Sequence, residues 1–88
     1  PRTAVAILKD GKLLLVTIDG RQPTHSVGIG LDELAALLLE LGAVDAMNLD
    51  GGGSTSMFLD GKVVNKPSDK EGERSVSDAI LVIPRKRR

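Results

Sequence analysis

Apolar positions along this chain follow two different periods. Residues 3–9 (TAVAILK) and 12–18 (KLLLVTI) are short runs rich in branched apolar side chains, the composition of β-strands. Asp10-Gly11 between them predicts a two-residue hairpin turn of type I′, because both residues tolerate positive φ, and hence an antiparallel pair. The second run is apolar at both parities, which predicts a strand covered on both faces. From residue 31 the period changes. Leu31, Leu34, Ala35, Leu38 and Leu41 fall on one face of a helix over 31–41. Gly30 serves as its N-cap, Asp32 and Glu33 place negative charge in the first turn, and Gly42 ends it. Eight of these eleven residues are apolar, so the helix should pack on more than one side. Residues 43–49 read as a buried strand, 55–59 and 62–65 as a second hairpin about Asp60-Gly61, and 75–83 as a last strand ended by Pro84. The expected fold is α+β, a mixed, largely antiparallel sheet of about six strands packed on one helix.

Composition narrows the function classes. Eighty-eight residues make at most one small domain of marginal stability. With 41% apolar and 27% charged residues the chain is an ordinary globular one. No apolar run approaches the roughly 20 residues of a membrane span. The absence of cysteine removes disulfides, thiolate metal sites and thiol nucleophiles, and a single histidine argues against structural zinc. Phe58 is the sole aromatic residue, which disfavours stacking on bases, and no nucleic-acid partner is expected. The zero net charge hides an asymmetry. Residues 1–84 carry 8 basic against 12 acidic side chains, and the basic tail 85–88 (RKRR) restores the balance; a run of that length reads as a solvated terminus. A start at Pro1 without a signal-peptide pattern suggests a processed chain or part of a longer one.

Candidate chemistry gathers around Asn48-Leu49-Asp50-Gly51-Gly52-Gly53-Ser54-Thr55. Three successive glycines between strands are costly in chain entropy and belong where backbone turns sharply or approaches something closely. The run fits neither a dinucleotide loop, nor a P-loop, nor a nucleophile elbow, because a strand-like segment follows it and neither the lysine nor the second glycine is in place. Two readings remain: a bulged tight turn, or an anion-binding nest of backbone amides joined by the Ser54 and Thr55 hydroxyls. Arg2, Arg21 and Arg74 each lie near a strand terminus, where forked guanidiniums suit a phosphate or a surface ion pair. Asp19, Asp50 and Asp69 are the carboxylates that could accompany them. Glycosyl transfer to water uses a carboxylate pair, and a phosphate leaving group relaxes the need for an acid. His25, in a Gly/Pro-containing loop, is either a solvated ring or an acid–base group. Calcium or magnesium could be taken by those carboxylates, although the spacing does not require a metal.

Pro1-Arg2-Thr3-Ala4, Asp19-Gly20-Arg21, Ser26-Val27-Gly28 leading into Asp32-Glu33-Leu34-Ala35, the Asn48–Ser54 segment, Asn65-Lys66-Pro67-Ser68-Asp69 and Arg74-Ser75-Val76-Ser77-Asp78-Ala79 together resemble the phosphodiester glycosidase family. The resemblance covers nearly the whole chain and corresponds to the C-terminal half of the family domain, with residues 1–84 as that part and 85–88 as a tail. It implies hydrolysis of the bond between a sugar's anomeric carbon and a phosphodiester oxygen, with N-acetylglucosamine as the sugar type. Asp50 and Asp19 would be the catalytic carboxylates. Arg2, Arg21, Gly51, Gly52, Gly53, Ser54, Thr55, Asn65 and Arg74 would bind substrate. His25 stands where relatives often have an aromatic residue, so no role is carried onto it. The resemblance favours a bacterial secreted, periplasmic or envelope protein acting on a sugar phosphodiester or polysaccharide. A non-catalytic sugar-phosphate binding module is the alternative, as is a half-domain that dimerises through its apolar helix. The over-apolar helix and the doubly apolar strand 12–18 suggest a missing layer.

Overall fold

The computed structural model describes residues 1–69, 72, 75 and 79–84. Among them a central strand β1 (Arg2–Leu8) pairs antiparallel on one side with β2 (Leu13–Ile18) and on the other with β3 (Ala43–Asn48). The strand order is β2-β1-β3. Helix α1 (Leu31–Glu40) connects β2 to β3, and a separate small hairpin is formed by β4 (Phe58–Leu59) and β5 (Lys62–Val63). The architecture is thus mixed α and β with antiparallel sheets of three and two strands. Five strands are found among the described residues, where about six were expected. The expected strands 55–59 and 62–65 shrink to two residues each, and Gly52–Ser54 forms a short 3-10 turn before them. Of the expected strand 75–83, residues 76–78 lie outside the described residues, and residues 79–83 are exposed and not in a strand.

Register explains which face is buried. Ala4 lies opposite Val16 and Asn48, and Ala6 opposite Leu14 and Ala46, so these residues share one face of the pleat. Leu34 and Leu38 of α1 pack onto that face with Ala4, Ala6 and Ala43, and Leu8, Leu14, Val16, Ile18 and Ile29 surround them. Small alanines on the central strand let the helix approach closely. The opposite face carries Val5, Ile7, Leu13, Leu15 and Met47, with Val5 and Leu15 half-buried. Ile7, Leu13 and Met47 are about half exposed or more. The expectation that β2 is covered on both faces is met in part: Leu13 is exposed, and Leu14 to Ile18 are half-buried at both parities. The expectation of a buried β3 is corrected: β3 is exposed from Val44 to Asn48. The helix packs on one side only, leaving Leu31, Leu39 and Leu41 exposed. A cavity of about 450 Å³ opens between α1 and β3 beside Leu31, Leu38, Leu39, Val44 and Met47.

The two Asp-Gly turns differ. At Asp60-Gly61 both residues have positive φ (51° and 77°), and Leu59 pairs directly with Lys62, the type I′ geometry. At the first turn Gly11 alone has positive φ (85°). The Leu8 amide bonds the Lys12 carbonyl and the Gly11 amide bonds the Leu8 carbonyl, so Lys9, Asp10 and Gly11 form a three-residue loop in place of the expected two-residue one. The Lys9 amide donates to Gly42 O at 3.2 Å, which draws Lys9 out of the β1–β2 ladder towards the start of β3.

Candidate functional site

Because β2 and β3 both run antiparallel to β1, the start of β1 meets the ends of β2 and β3 at one edge of the sheet. That edge collects Pro1, Arg2 and Thr3, then Asp19, Gly20 and Arg21, then Leu49 and the glycine run. Backbone contacts lock the three strand ends together. Leu49 N–H donates to Thr3 O at 2.7 Å, and Gly52 N–H to Pro1 O at 3.2 Å. Pro1 is wedged between glycines: a Cβ on Gly20 would lie 2.6 Å from Pro1 N, and one on Gly51 would lie 2.7 Å from Pro1 O. Real Cβ atoms do not approach backbone so closely, so close contact dictates both glycines. At Gly52, where φ is +57°, the Arg21 guanidinium lies over the backbone, 3.1–3.4 Å from where a Cβ would be. Arg21 itself has a positive φ of 56°, a conformation uncommon for non-glycine residues and worth explaining at a site.

The glycine run is a tight turn with two free donors. Ser54 N–H bonds Gly51 O and Thr55 N–H bonds Gly52 O. With Gly52 N–H on Pro1 O, this leaves the Gly51 and Gly53 amides without a protein acceptor among the described residues. Thr55 is fully buried, receives the Thr3 hydroxyl at 3.4 Å, and offers its carbonyl to Asn65. Its contacts are internal ones. Arg2 is half-buried, with Nε donating to Ile29 O at 3.1 Å, and Arg21 is exposed. Among the described residues no carboxylate pairs with either arginine. Arg74 lies outside the described residues.

Asp19 is the most heavily bonded carboxylate in the described structure. Its Oδ2 receives Lys66 N–H at 2.9 Å and lies 2.8 Å from His25 Nε2, while Oδ1 receives the Asn65 amide at 3.1 Å. Burial by itself would raise its pKa. The hydrogen bonds from His25, Lys66 N–H and Asn65, with the charge of His25 when protonated, outweigh that and hold the carboxyl below the usual range. Asn65 is the hub of the second layer: it also donates to Thr55 O at 2.8 Å and accepts Met57 N–H at 2.7 Å. Asp50 is different. It is exposed at the end of β3, and its carboxylate has no protein partner among the described residues.

Thus Arg2, Arg21, Asp19, Asp50, Gly51–Gly53, Thr55 and Asn65 gather at one edge of the sheet and in the network behind it. Sequence reasoning missed Gln22 and Ser26. Gln22 Nε2 bonds Gly20 O and Lys66 O, and Ser26 Oγ bonds Asp19 O, bracing the loop that carries His25. Two polar side chains inside a Gly- and Pro-containing loop were the available signal. Asp69 has partners of its own and is half-buried. Among the described residues no group of three or more His, Asp or Glu side chains is placed to hold a metal ion, and no helix is long and apolar enough to cross a membrane.

Comparison with known proteins bears on this arrangement. A relative from Bacillus subtilis strain 168, the SPbeta prophage-derived protein YomE, is 39% identical over 82 residues, 93% of this chain and 12% of its own. The N-acetylglucosamine-1-phosphodiester alpha-N-acetylglucosaminidases of Bos taurus and Homo sapiens are 46% and 44% identical over 68 residues, 77% of this chain and 12% and 13% of theirs. A crystal structure of a Burkholderia pseudomallei K96243 protein, whose name assigns it to export, superposes with a TM-score of 0.82 at 57% identity, covering 85% of this chain and 14% of that one. The chain therefore spans about an eighth of the length of the curated relatives it matches. The profile of the family described as Phosphodiester glycosidase matches residues 1–83, and the chain belongs to that family.

Proposed function

We propose that this chain carries the phosphate- and sugar-binding edge of a hydrolase that cleaves the anomeric carbon–oxygen bond of a sugar 1-phosphodiester. N-acetylglucosamine is the sugar type named in the bovine and human relatives. The observation that carries this reading is the placement of two guanidiniums, Arg2 and Arg21, and a carboxylate, Asp50, none with an ionic partner among the described residues, around a glycine turn. Unpaired guanidiniums next to free backbone amides form a phosphate clamp. Arg21 and the Gly51 and Gly53 amides would hold the phosphate oxygens, with Arg2 and Arg74 adding charge and Ser54 a hydroxyl. Asp50 faces the anomeric carbon in this reading, stabilising the positive charge that builds as the C–O bond breaks. Asn65 holds Asp19 in place, and Thr55 supports Asn65. Phosphate leaves as a stabilised anion, so no strong acid is needed on the departing oxygen.

The partly exposed sheet face and the relatives' greater length support a working domain larger than these 88 residues, with residues 1–84 as its C-terminal part. The name of the Burkholderia neighbour supports an exported location. The test uses methyl N-acetylglucosamine 1-phosphate, followed by release of reducing sugar. Asp50→Asn is expected to lower turnover at least about 100-fold while binding is kept. Binding without turnover in the complete wild-type domain would instead favour a sugar-phosphate binding module.

A further inference from the structure

We propose that His25 is a proton-accepting group of this site and that Asp19 is its positioning residue, an inference that rests on the hydrolase reading above and deepens it. The sequence leaves His25 as a loop histidine. The structure gives that loop an unusual number of braces. Gln22 and Ser26 form an isolated bridge, with Gln22 N–H on Ser26 O at 3.0 Å, and both His25 and Ser26 N–H on Gln22 O at 2.8 Å. The Gln22 side chain ties the loop to Gly20 O and Lys66 O, and Ser26 Oγ ties it to Asp19 O. A solvated ring needs none of this.

The ring is held at one nitrogen and open at the other. Nε2 lies 2.8 Å from Asp19 Oδ2, and the Asp19 side chain is 14% exposed against 43% for His25. An ionised carboxylate only accepts hydrogen bonds, so Nε2 carries the hydrogen and the neutral ring has its lone pair on Nδ1. Nδ1 has no partner among the described residues. Asn65 and Lys66 N–H fix Asp19 in turn, so the order carbonyl–Asn65–Asp19–His25 runs outward from the buried Thr55. Asp19 and Arg21 flank Gly20 in the chain, and the Arg21 guanidinium lies over Gly52. Among the described residues the charged group in contact with the ring is Asp19, with Arg21 and Lys66 on the segments adjoining it in the chain or bonded to Asp19.

With phosphate leaving unprotonated, the proton that must move is that of the attacking water. In the assigned step the water oxygen bonds the anomeric carbon and the carbon–oxygen bond to phosphate breaks with its electron pair on the phosphate. The water proton passes to His25 Nδ1 and then to solvent. Asp19 neutralises the imidazolium that forms but does not take the proton.

The complete family domain that contains this chain, with methyl N-acetylglucosamine 1-phosphate, provides the test. His25→Gln should lower kcat by about 100-fold or more with KM within about threefold, and remove the acidic limb of the pH profile. Imidazole should restore part of the rate to His25→Ala. Asp19→Asn should lower kcat less and displace that limb. A merely structural clip would change stability and leave the limb and the imidazole response unmoved. Wild-type turnover with an unaltered kcat and acidic limb in His25→Gln would overturn the assignment. Imidazole 15N shifts give a readout without turnover: the neutral ring should be the Nε2–H tautomer, and an Nδ1–H ring would also overturn it. No wild-type turnover, with the Nε2–H tautomer intact, would instead remove the hydrolase reading and the step assigned to His25 with it.

Discussion

Asp19 and Asp50 follow the two strands that flank β1, at the same end of the sheet, yet they are held differently. Asp19 is mostly buried and receives three hydrogen bonds, from His25, Asn65 and the Lys66 amide. Asp50 stands exposed beside the glycine turn with no partner among the described residues. A carboxylate whose lone pairs are already engaged is poorly placed to meet a substrate but well placed to fix its neighbours. An unengaged one contributes little to folding and is available to a ligand. Residues given one label by sequence thus separate into a positioning group and a candidate reacting group.

The sharpest break of this comparison is a pair of substitutions, one at each aspartate. Asp50→Asn should abolish most turnover while thermal stability stays within about 0.5 kcal/mol of wild type, the usual range for an exposed substitution. Asp19→Ala should do the reverse in part: the Lys66 amide and the Asn65 side chain lose their acceptor, costing about 1–3 kcal/mol in denaturant unfolding. If the two variants were equally stable, the assignment of Asp19 as the structural anchor would fail.

A glycine substitution tests the edge that both carboxylates share. Gly51→Ala would drive a Cβ to 2.7 Å from Pro1 O, a backbone atom that cannot swing away. Overpacking of this kind costs about 1–3 kcal/mol, and the same denaturant series would measure it. Gly61→Ala, which meets nothing within 4 Å, carries only the cost of its positive φ and serves as the control.

Acid titration refines the contrast. The Asp19 carboxyl is held below its ordinary pKa in the folded chain, so folding favours its ionised form. Its contribution is fully present above the unfolded value of about 3.9 and is lost as pH falls through the lower folded value. The stability gap between wild type and Asp19→Asn should therefore narrow below about pH 4. The smallest effect is expected at Thr55→Val, which removes one buried hydroxyl contact with Thr3 at 3.4 Å, at about 1 kcal/mol or less.

Much of the fold was legible because it rests on local rules. The 3.6-residue spacing of Leu31, Leu34 and Leu38 found α1 to within a residue, since a helix's buried face recurs along its own sequence. Asp60-Gly61 formed the type I′ turn that the pair favours. Asp10-Gly11 did not, because Lys9 is also engaged by Gly42 O, a partner more than thirty residues away. The exposure of β3 is hidden from the sequence for a similar reason. Apolar side chains at both parities report what a strand could bury, whereas coverage depends on which element lies above it.

By itself the sequence determined the candidate chemistry of this protein: the arginines, the aspartates and the glycine run, whose order along the chain is that of the phosphodiester glycosidases. The tertiary structure decided how those groups divide their work. Only the antiparallel pairing of β1 with both β2 and β3 brings Pro1 against Gly20 and Gly51 and sets Arg21 over Gly52. Only the folded loop reveals that Asp19 is bound to His25 and Asn65 while Asp50 is not. Hydrogen bonds spanning 46 and 47 residues, as from Asn65 and Lys66 to Asp19, leave no periodic trace in a sequence. They exist once the chain has closed on itself.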